Sequence, residues 1–409
     1  MGRPGRNRLA AALAGFALLA AASAFPPGCA GPQRRAEAPP QGPAAPPGAA
    51  PPARPPGPGA REARPVRIRL DGIGARVVLQ GGTIRVWTPD GTLLAEGGGS
   101  VVLAARGNRI AWGSIREIPS PADFGAPEGI RADGKRFPGR IRVTALQGKL
   151  QVVAVVPLEV YVAAVISREA PRSFAPEALE ALAVAARTYA LGAMAKPRDP
   201  AFDVVDGVED QLFEGIENSD GPFRAAGEAT RGMALFYQDG LARAVYHSTC
   251  GGTTENAADA WGRDVPYLRS LACDDCRVSP ARRWVHRMSR AEGKRVALAL
   301  GVRAGDDLSI GIVGATRTGR ASRIRLASGG VSRETAAASF RQAAGYARIK
   351  SLKMKIVPSG GGWVFSGEGY GHGVGMCQWG ANGMAKRGKG FREILARYYP
   401  GTRVAGGDR

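Results

Sequence analysis

Beyond residue 65 the sequence has no apolar run of the length of a membrane span, no nucleic-acid-binding motif and no internal repeat. A spanning helix needs about 20 mostly apolar residues, so this part of the chain is not read as crossing a membrane. Acidic side chains are in short supply, 35 against 56 basic ones, for a net charge of +21. A basic surface attracts polyanions. With no nucleic-acid motif beside it, the charge reads as affinity for an anionic cell envelope and not for DNA or RNA. Histidine and cysteine are also sparse, with three of the former and five of the latter. Imidazole and thiol chemistry is therefore confined to His247, His286, His372, Cys29, Cys250, Cys273, Cys276 and Cys377.

The amino-terminal stretch explains part of the charge. Arg3, Arg6 and Arg8 precede an apolar, small-residue run at 9–24 that Pro26, Pro27 and Gly28 interrupt. A short apolar core behind basic residues has the anatomy of a secretory signal, which assigns 1–29 to export. Two ends of that signal are consistent with the residues. Ala22-Ser23-Ala24 fits a small-x-small cleavage site before Phe25, and Cys29 behind Gly28 fits the lipidated first residue of a lipoprotein, held to the membrane by its lipid. Residues 30–65 are almost entirely Pro, Ala, Gly and Arg. Such a segment has too little apolar bulk to offset the entropy of ordering it, and reads as a semi-extended tether.

From 66 to 156 short β-like runs (66–70, 75–79, 83–87, 100–105, 140–146, 150–156) alternate with Gly, Asn and Asp turns such as Pro89-Asp90-Gly91. A helix is expected from Leu158 to Arg168–Ala170, where Pro171 ends it, and a second from Pro176. In the second, Leu179, Leu182, Ala183, Ala186 and Ala190 recur at helical spacing and predict one core-facing side. Ser219 is expected to cap a short helix, Asp239-Gly240 to turn a hairpin, and Ser289 to cap a further helix. Strand and helix signals alternate through 307–358, and 366–402 is Gly-rich and then helical. The class is α+β: a β-rich part at 66–139 leads into a mixed core at 140–402 that carries a cysteine-bearing insertion.

Three segments carry the chemistry: VPLEVYVAAVISREAPRSFAPEALEALAVAARTYA (156–190), YHSTCGGTTEN (246–256) with WG and PYLRS after it, and GYGHGVGMCQWGA (369–381) followed by YYPGT (398–402). In this order they resemble the SpoIID/LytB family, named for stage II sporulation protein D and for a modifier of autolysins, over roughly 140–402. The resemblance implies a lytic transglycosylase that cuts peptidoglycan glycan strands between N-acetylmuramic acid (MurNAc) and N-acetylglucosamine (GlcNAc) and leaves 1,6-anhydro ends. It places the catalytic glutamate in the E-x-P element, here Glu169-Ala170-Pro171.

Elementary chemistry is consistent with one carboxyl. The leaving oxygen must be protonated by an acid of raised pKa. Hydrolases add a second carboxylate to handle water. A muramyl 6-hydroxyl closing on its own C1 needs no water, so one Glu can give and then take the proton. Arg187, in the A-A-R-T-Y element, is read as a substrate-positioning fork, with a structural salt bridge as the alternative. His372 and Gln378 are the polar groups of the third segment expected to face the cleft, where its glycines would let backbone approach substrate. The family commonly has Lys and Gln where this chain has Glu180 and Leu182, and Ser where it has Cys377, which reads as a small buried residue.

His247-x2-Cys250 followed by Cys273-x2-Cys276 has the ligand types and spacing of a closed, structural zinc site of three thiolates and one imidazole, with His286 as a reserve ligand. Some family members bind zinc near the cleft. The competing readings are a disulfide, for example from Cys250 to Cys273 or Cys276, permitted outside the cytoplasm, and free thiols. No organic cofactor is expected. Besides the enzyme, two readings stand: a non-catalytic glycan binder that stimulates a partner amidase or autolysin, and a zinc hydrolase, which four Cys/His ligands would leave without an open position.

Overall fold

The computed structural model describes residues 64–113 and 116–406. The expected signal with Cys29, and the tether as far as residue 63, lie outside the described residues. The tether's last part is already docked. Both terminal nitrogens of Arg64 lie 2.9 Å from the Asp203 carboxylate.

The β-like runs pair into one 11-stranded sheet. Its order is Val204–Val205, Val66–Arg69, Lys149–Val156, Arg140–Leu146, Ala122–Gly125, Arg76–Trp87, Leu93–Arg106, Arg109–Trp112, Arg116–Ile118, with Ile130–Ala132 and Lys135–Phe137 branching from the Arg76–Trp87 strand. Alternation sets the faces: Val66 and Ile68 are buried, while Arg67 and Arg69 are only partly so. The runs expected at 75–79 and 83–87 form one strand whose register shifts between Gln80 and Thr83. Val66–Arg69 pairs antiparallel with Val153–Val156. The sheet and its buried core therefore pass through the expected 139/140 division without a break.

Two helices pack on this core. The first, α1, runs Leu158–Glu169 and stops before Pro171; the second, α2, runs Pro176–Ala195 with its proline in the first turn. Proline suits that turn, where an N–H would lack a partner anyway. The single core face expected for α2 is a correction. Ala178, Leu179, Ala181 to Thr188 and Ala190 are all buried, so α2 is enclosed by α1, Pro222–Ala229, Gln378–Lys386 and the Met233–Tyr237 strand. Small alanines let these neighbours approach from every side. The helix expected after Ser219 is instead capped by Gly221, with Pro222 opening it. The Ser289 cap forms as a capping box with Glu292.

The insertion differs from the expected one. Arg283–Ser289 pairs antiparallel with Gly362–Glu368, and Gly369 N–H donates to Ala281 O at 3.1 Å. These contacts close a neck around a module with its own core of Trp284, Ile324, Leu326, Phe340, Trp363 and Phe365. The cysteines lie outside it: Cys250, Cys273, Cys276 and Cys377 belong to the main core. No helix among the described residues is long and apolar enough to cross a membrane. The chain is mixed α/β, as an α+β reading requires.

Candidate active site and thiol cluster

A cleft of about 770 Å³ opens between the main core and the inserted module, within the usual range of ligand pockets. Glu169, the last residue of α1, lines it. Leu212 N–H donates to one carboxylate oxygen at 3.2 Å and Gln378 Nε2 to the other at 3.1 Å. Burial pushes the carboxyl above its ordinary pKa, and outweighs the two hydrogen bonds that act in the opposite direction. Its neighbour Arg168 points to Glu214. Of the other carboxylates on the cleft, Asp210 is engaged with Tyr189 and Arg198, Glu255 with Thr316 and Thr318, and Asp259 with Asn256 and Arg317, while the exposed Glu209 has no partner among the described residues.

The third motif meets Glu169 through its alternating glycines. Gly369, Gly371, Gly373 and Gly375 all have positive φ. A Cβ on Gly371 would stand 2.7 Å from His247 Cβ, and one on Gly375 2.1 Å from Val245 O. Gly373 approaches the Arg320 guanidinium, and Gly369, Gly371 and Gly375 approach the 245–251 segment of this chain. That contact lays Met376–Cys377 parallel to Tyr246–His247 and starts the helix Gln378–Lys386, whose first residue reaches Glu169.

Neither histidine takes the part expected of it. Both nitrogens of His372 are taken by backbone: Nε2 lies 2.9 Å from Tyr246 O, and Val374 N–H donates to Nδ1 at 3.0 Å. Burial lowers its pKa to about 4, with Arg341, Arg320 and Arg243 adding to the effect. It lines the cleft as a neutral ring without a free polar atom, which corrects its expected polar contact with substrate. His247, expected on zinc, lies outside the thiol cluster. Its Nδ1 is 3.0 Å from Val374 O, and its buried Nε2 has no partner among the described residues.

Arg187 does not reach the cleft. It is fully buried, 2.5 Å from Glu159 on α1, and donates to Gly227 O and Met233 O. The salt-bridge alternative holds, because α2 is enclosed at this position and the guanidinium must be matched there. Glu180 and Leu182, the departures from the family pattern, are also absent from the cleft lining, and Leu182 is core.

The sulfurs of Cys250, Cys273, Cys276 and Cys377 lie within 4.8 Å of one another, all buried and all free thiols. Cys250 and Cys276 Sγ are 3.6 Å apart, close to the roughly 3.8 Å edge of a tetrahedron with 2.3 Å zinc–sulfur bonds. The donor set thus fits a tetrahedral thiophilic ion, but with thiolates in all four positions. Cys377 takes the place expected for His247, and His286 lies in the inserted module on the Arg283–Ser289 strand. A Cβ on Gly380 would fall 2.5 Å from Cys273 Sγ, so glycine leaves room for the cluster.

Sequence reasoning passed over several cleft residues. The Tyr246 hydroxyl accepts from Gln211 Nε2 at 2.8 Å, and burial, aided by the Glu169 charge, holds its pKa well above the ordinary phenol value. It adjoins His247 in a segment already singled out, and that adjacency was the available signal. Trp261, in the W-G step, packs 5.2 Å from His372 and under the Arg243 guanidinium at 4.9 Å. Arg341 comes from the inserted module and had no signal.

The chain is similar to several known proteins. A family model described as SpoIID, stage II sporulation protein, matches residues 146–237. An uncharacterized protein of Brachyspira hyodysenteriae is 31% identical over 282 residues, covering 69% of this chain and 75% of its own length. Stage II sporulation protein D of Bacillus subtilis is 30% identical over 276 residues, 63% of this chain and 77% of that protein. The amidase enhancer of Bacillus subtilis is 28% identical over 289 residues, 58% of this chain but 39% of the enhancer.

Proposed function

The chain belongs to the SpoIID family, and from that premise we propose that it is an exported peptidoglycan lytic transglycosylase with Glu169 as its acid and base. The observation that carries this reading is the Glu169 carboxyl itself: part-buried on a large cleft, of raised pKa, and held by Gln378 and Leu212. In the proposed reaction Glu169 gives its proton to the oxygen between MurNAc C1 and GlcNAc C4. The C1–O bond breaks, the C6 hydroxyl oxygen of the same MurNAc bonds to C1, and its proton returns to Glu169. No water is consumed, and the product ends in a 1,6-anhydro ring. Gln378 is the residue that orients the carboxyl, and Tyr246, kept protonated, is a donor beside it. Digestion of purified glycan strands with mass analysis of the new ends tests the reading.

Cys250, Cys273, Cys276 and Cys377 are proposed to hold a structural zinc ion. Such an ion fixes the 250–252 turn, the Asp274–Val278 helical turn and the start of the Gln378 helix to one another. With four thiolates it has no open position for water. Cys29 is proposed as the lipidated residue that fixes the protein to a membrane facing the wall.

A second reading is favoured by the similarity to a protein named amidase enhancer. There the cleft binds glycan and the chain stimulates a partner amidase without cutting. The Glu169 carboxyl separates the two, since a binder does not need it.

A further inference from the structure

Three guanidiniums, from Arg243, Arg320 and Arg341, line the cleft and bear on the His372 ring. Arg320 is matched by Glu255 at 3.8 Å and gives hydrogen bonds to Cys250 O and Thr253 O. The other two have no carboxylate partner among the described residues. Arg243 is exposed and lies over Trp261 without a side-chain hydrogen bond. Arg341 is 9% exposed; it donates to Ile349 O and Lys350 O and lies over Tyr346 at 4.6 Å. These groups orient the guanidinium but leave its charge unmatched.

A charge withdrawn from water with no counter-charge destabilises the fold. A fold that retains one on the wall of a ligand cleft has a use for it there. Guanidiniums recognise carboxylates through paired, charge-assisted hydrogen bonds. We infer that Arg341 and Arg243 form a carboxylate-binding subsite that selects the muramic-acid-bearing parts of a glycan strand. This inference rests on the cleft being the glycan site. Plain GlcNAc polymers carry no carboxylate. Muramic strands carry one in two forms: the lactyl carboxylate, free where the stem peptide has been removed, and the carboxylates of the stem peptide itself. Arg341 belongs to the inserted module and Arg243 to the main core, so the subsite spans the cleft and couples the module to substrate choice.

The test measures binding with the full chain carrying Glu169→Gln, so that strands are not consumed. The probes are peptide-stripped strands, peptide-bearing strands, and stripped strands whose carboxylates have been converted to amides. Arg243→Gln and Arg341→Gln are each expected to weaken binding to carboxylate-bearing strands on the order of tenfold, and to leave amidated strands within twofold (about 0.4 kcal/mol by RT ln 2). Arg341→Lys, which keeps the charge, should retain most of the affinity. A loss confined to stripped strands assigns the lactyl carboxylate, and one confined to peptide-bearing strands assigns the stem. An equal loss on amidated strands, or no loss on any, overturns the subsite. If Arg341→Gln does not fold, Arg243→Gln and Arg341→Lys decide it. Cleavage by the unmutated chain is scored separately, so failure of the enzymatic reading is distinguishable from failure of the subsite.

Discussion

Gln378 Nε2 lies 3.1 Å from Glu169 Oε2, across 209 residues of sequence. The bond joins the glycine-rich third motif to the end of α1, so the two motifs form one site. It also opposes burial: the amide favours the carboxylate, while desolvation favours the acid.

Gln378→Leu removes one of the two hydrogen bonds that lower the Glu169 pKa, leaving that from Leu212 N–H. The pKa then rises further, and the carboxyl keeps its proton to higher pH. Cleavage rate should fall roughly tenfold from lost orientation, while the alkaline limb of its pH profile moves upward. A rate loss with an unmoved limb would assign Gln378 to substrate contact instead.

Glu169→Gln should have a pH-dependent effect on stability. A carboxyl whose folded pKa is raised contributes stability in full below its unfolded pKa, and loses it as pH rises through the folded value. The substitution should therefore change melting temperature little in acid and raise it relative to wild type at neutral and higher pH. Melting curves across that range check the sign; a variant uniformly less stable would mean the carboxylate is matched in the fold.

The thiol cluster should hold about one zinc per chain, bound by Cys250, Cys273, Cys276 and Cys377. Metal analysis is expected to find the equivalent lost on Cys377→Ser and retained on His247→Ala, and strong chelation should lower the melting temperature. Retention on Cys377→Ser with loss on His247→Ala would restore the site of three cysteines and His247. A bridge from Cys250 in unreduced protein, without metal, would remove the site altogether.

Attachment is tested by fractionation. Wild type should sediment with membranes, and Cys29→Ala should move to the soluble exported fraction. A soluble wild type beginning at Phe25 would mean that the signal is cleaved after Ala24.

Much of this architecture was legible because local rules and packing agree. Pro171 and Pro176 bound α1 and α2, and the E-x-P element led to Glu169. The candidate metal ligands differ from the expected set for a physical reason. Spacing reveals ligands that share a turn, as Cys273 and Cys276 do, but Cys377 is 127 residues from Cys250 and arrives only by the pairing of Tyr246–His247 with Met376–Cys377. Arg187 stood in a motif, and motif membership does not tell a substrate contact from a buried ion pair with Glu159. The inserted module was obscured because its neck pairs strands that are distant in sequence, which local periodicity cannot register.

The central claim is that Glu169 cleaves glycan by internal ring closure. Mass analysis of ends released from purified glycan strands tests it most directly. Wild type should yield 1,6-anhydro ends, lighter than reducing ends by one water. Folded Glu169→Gln should yield them on the order of 10²–10⁴-fold more slowly. Reducing ends from wild type, or undiminished cleavage by Glu169→Gln, would contradict the account.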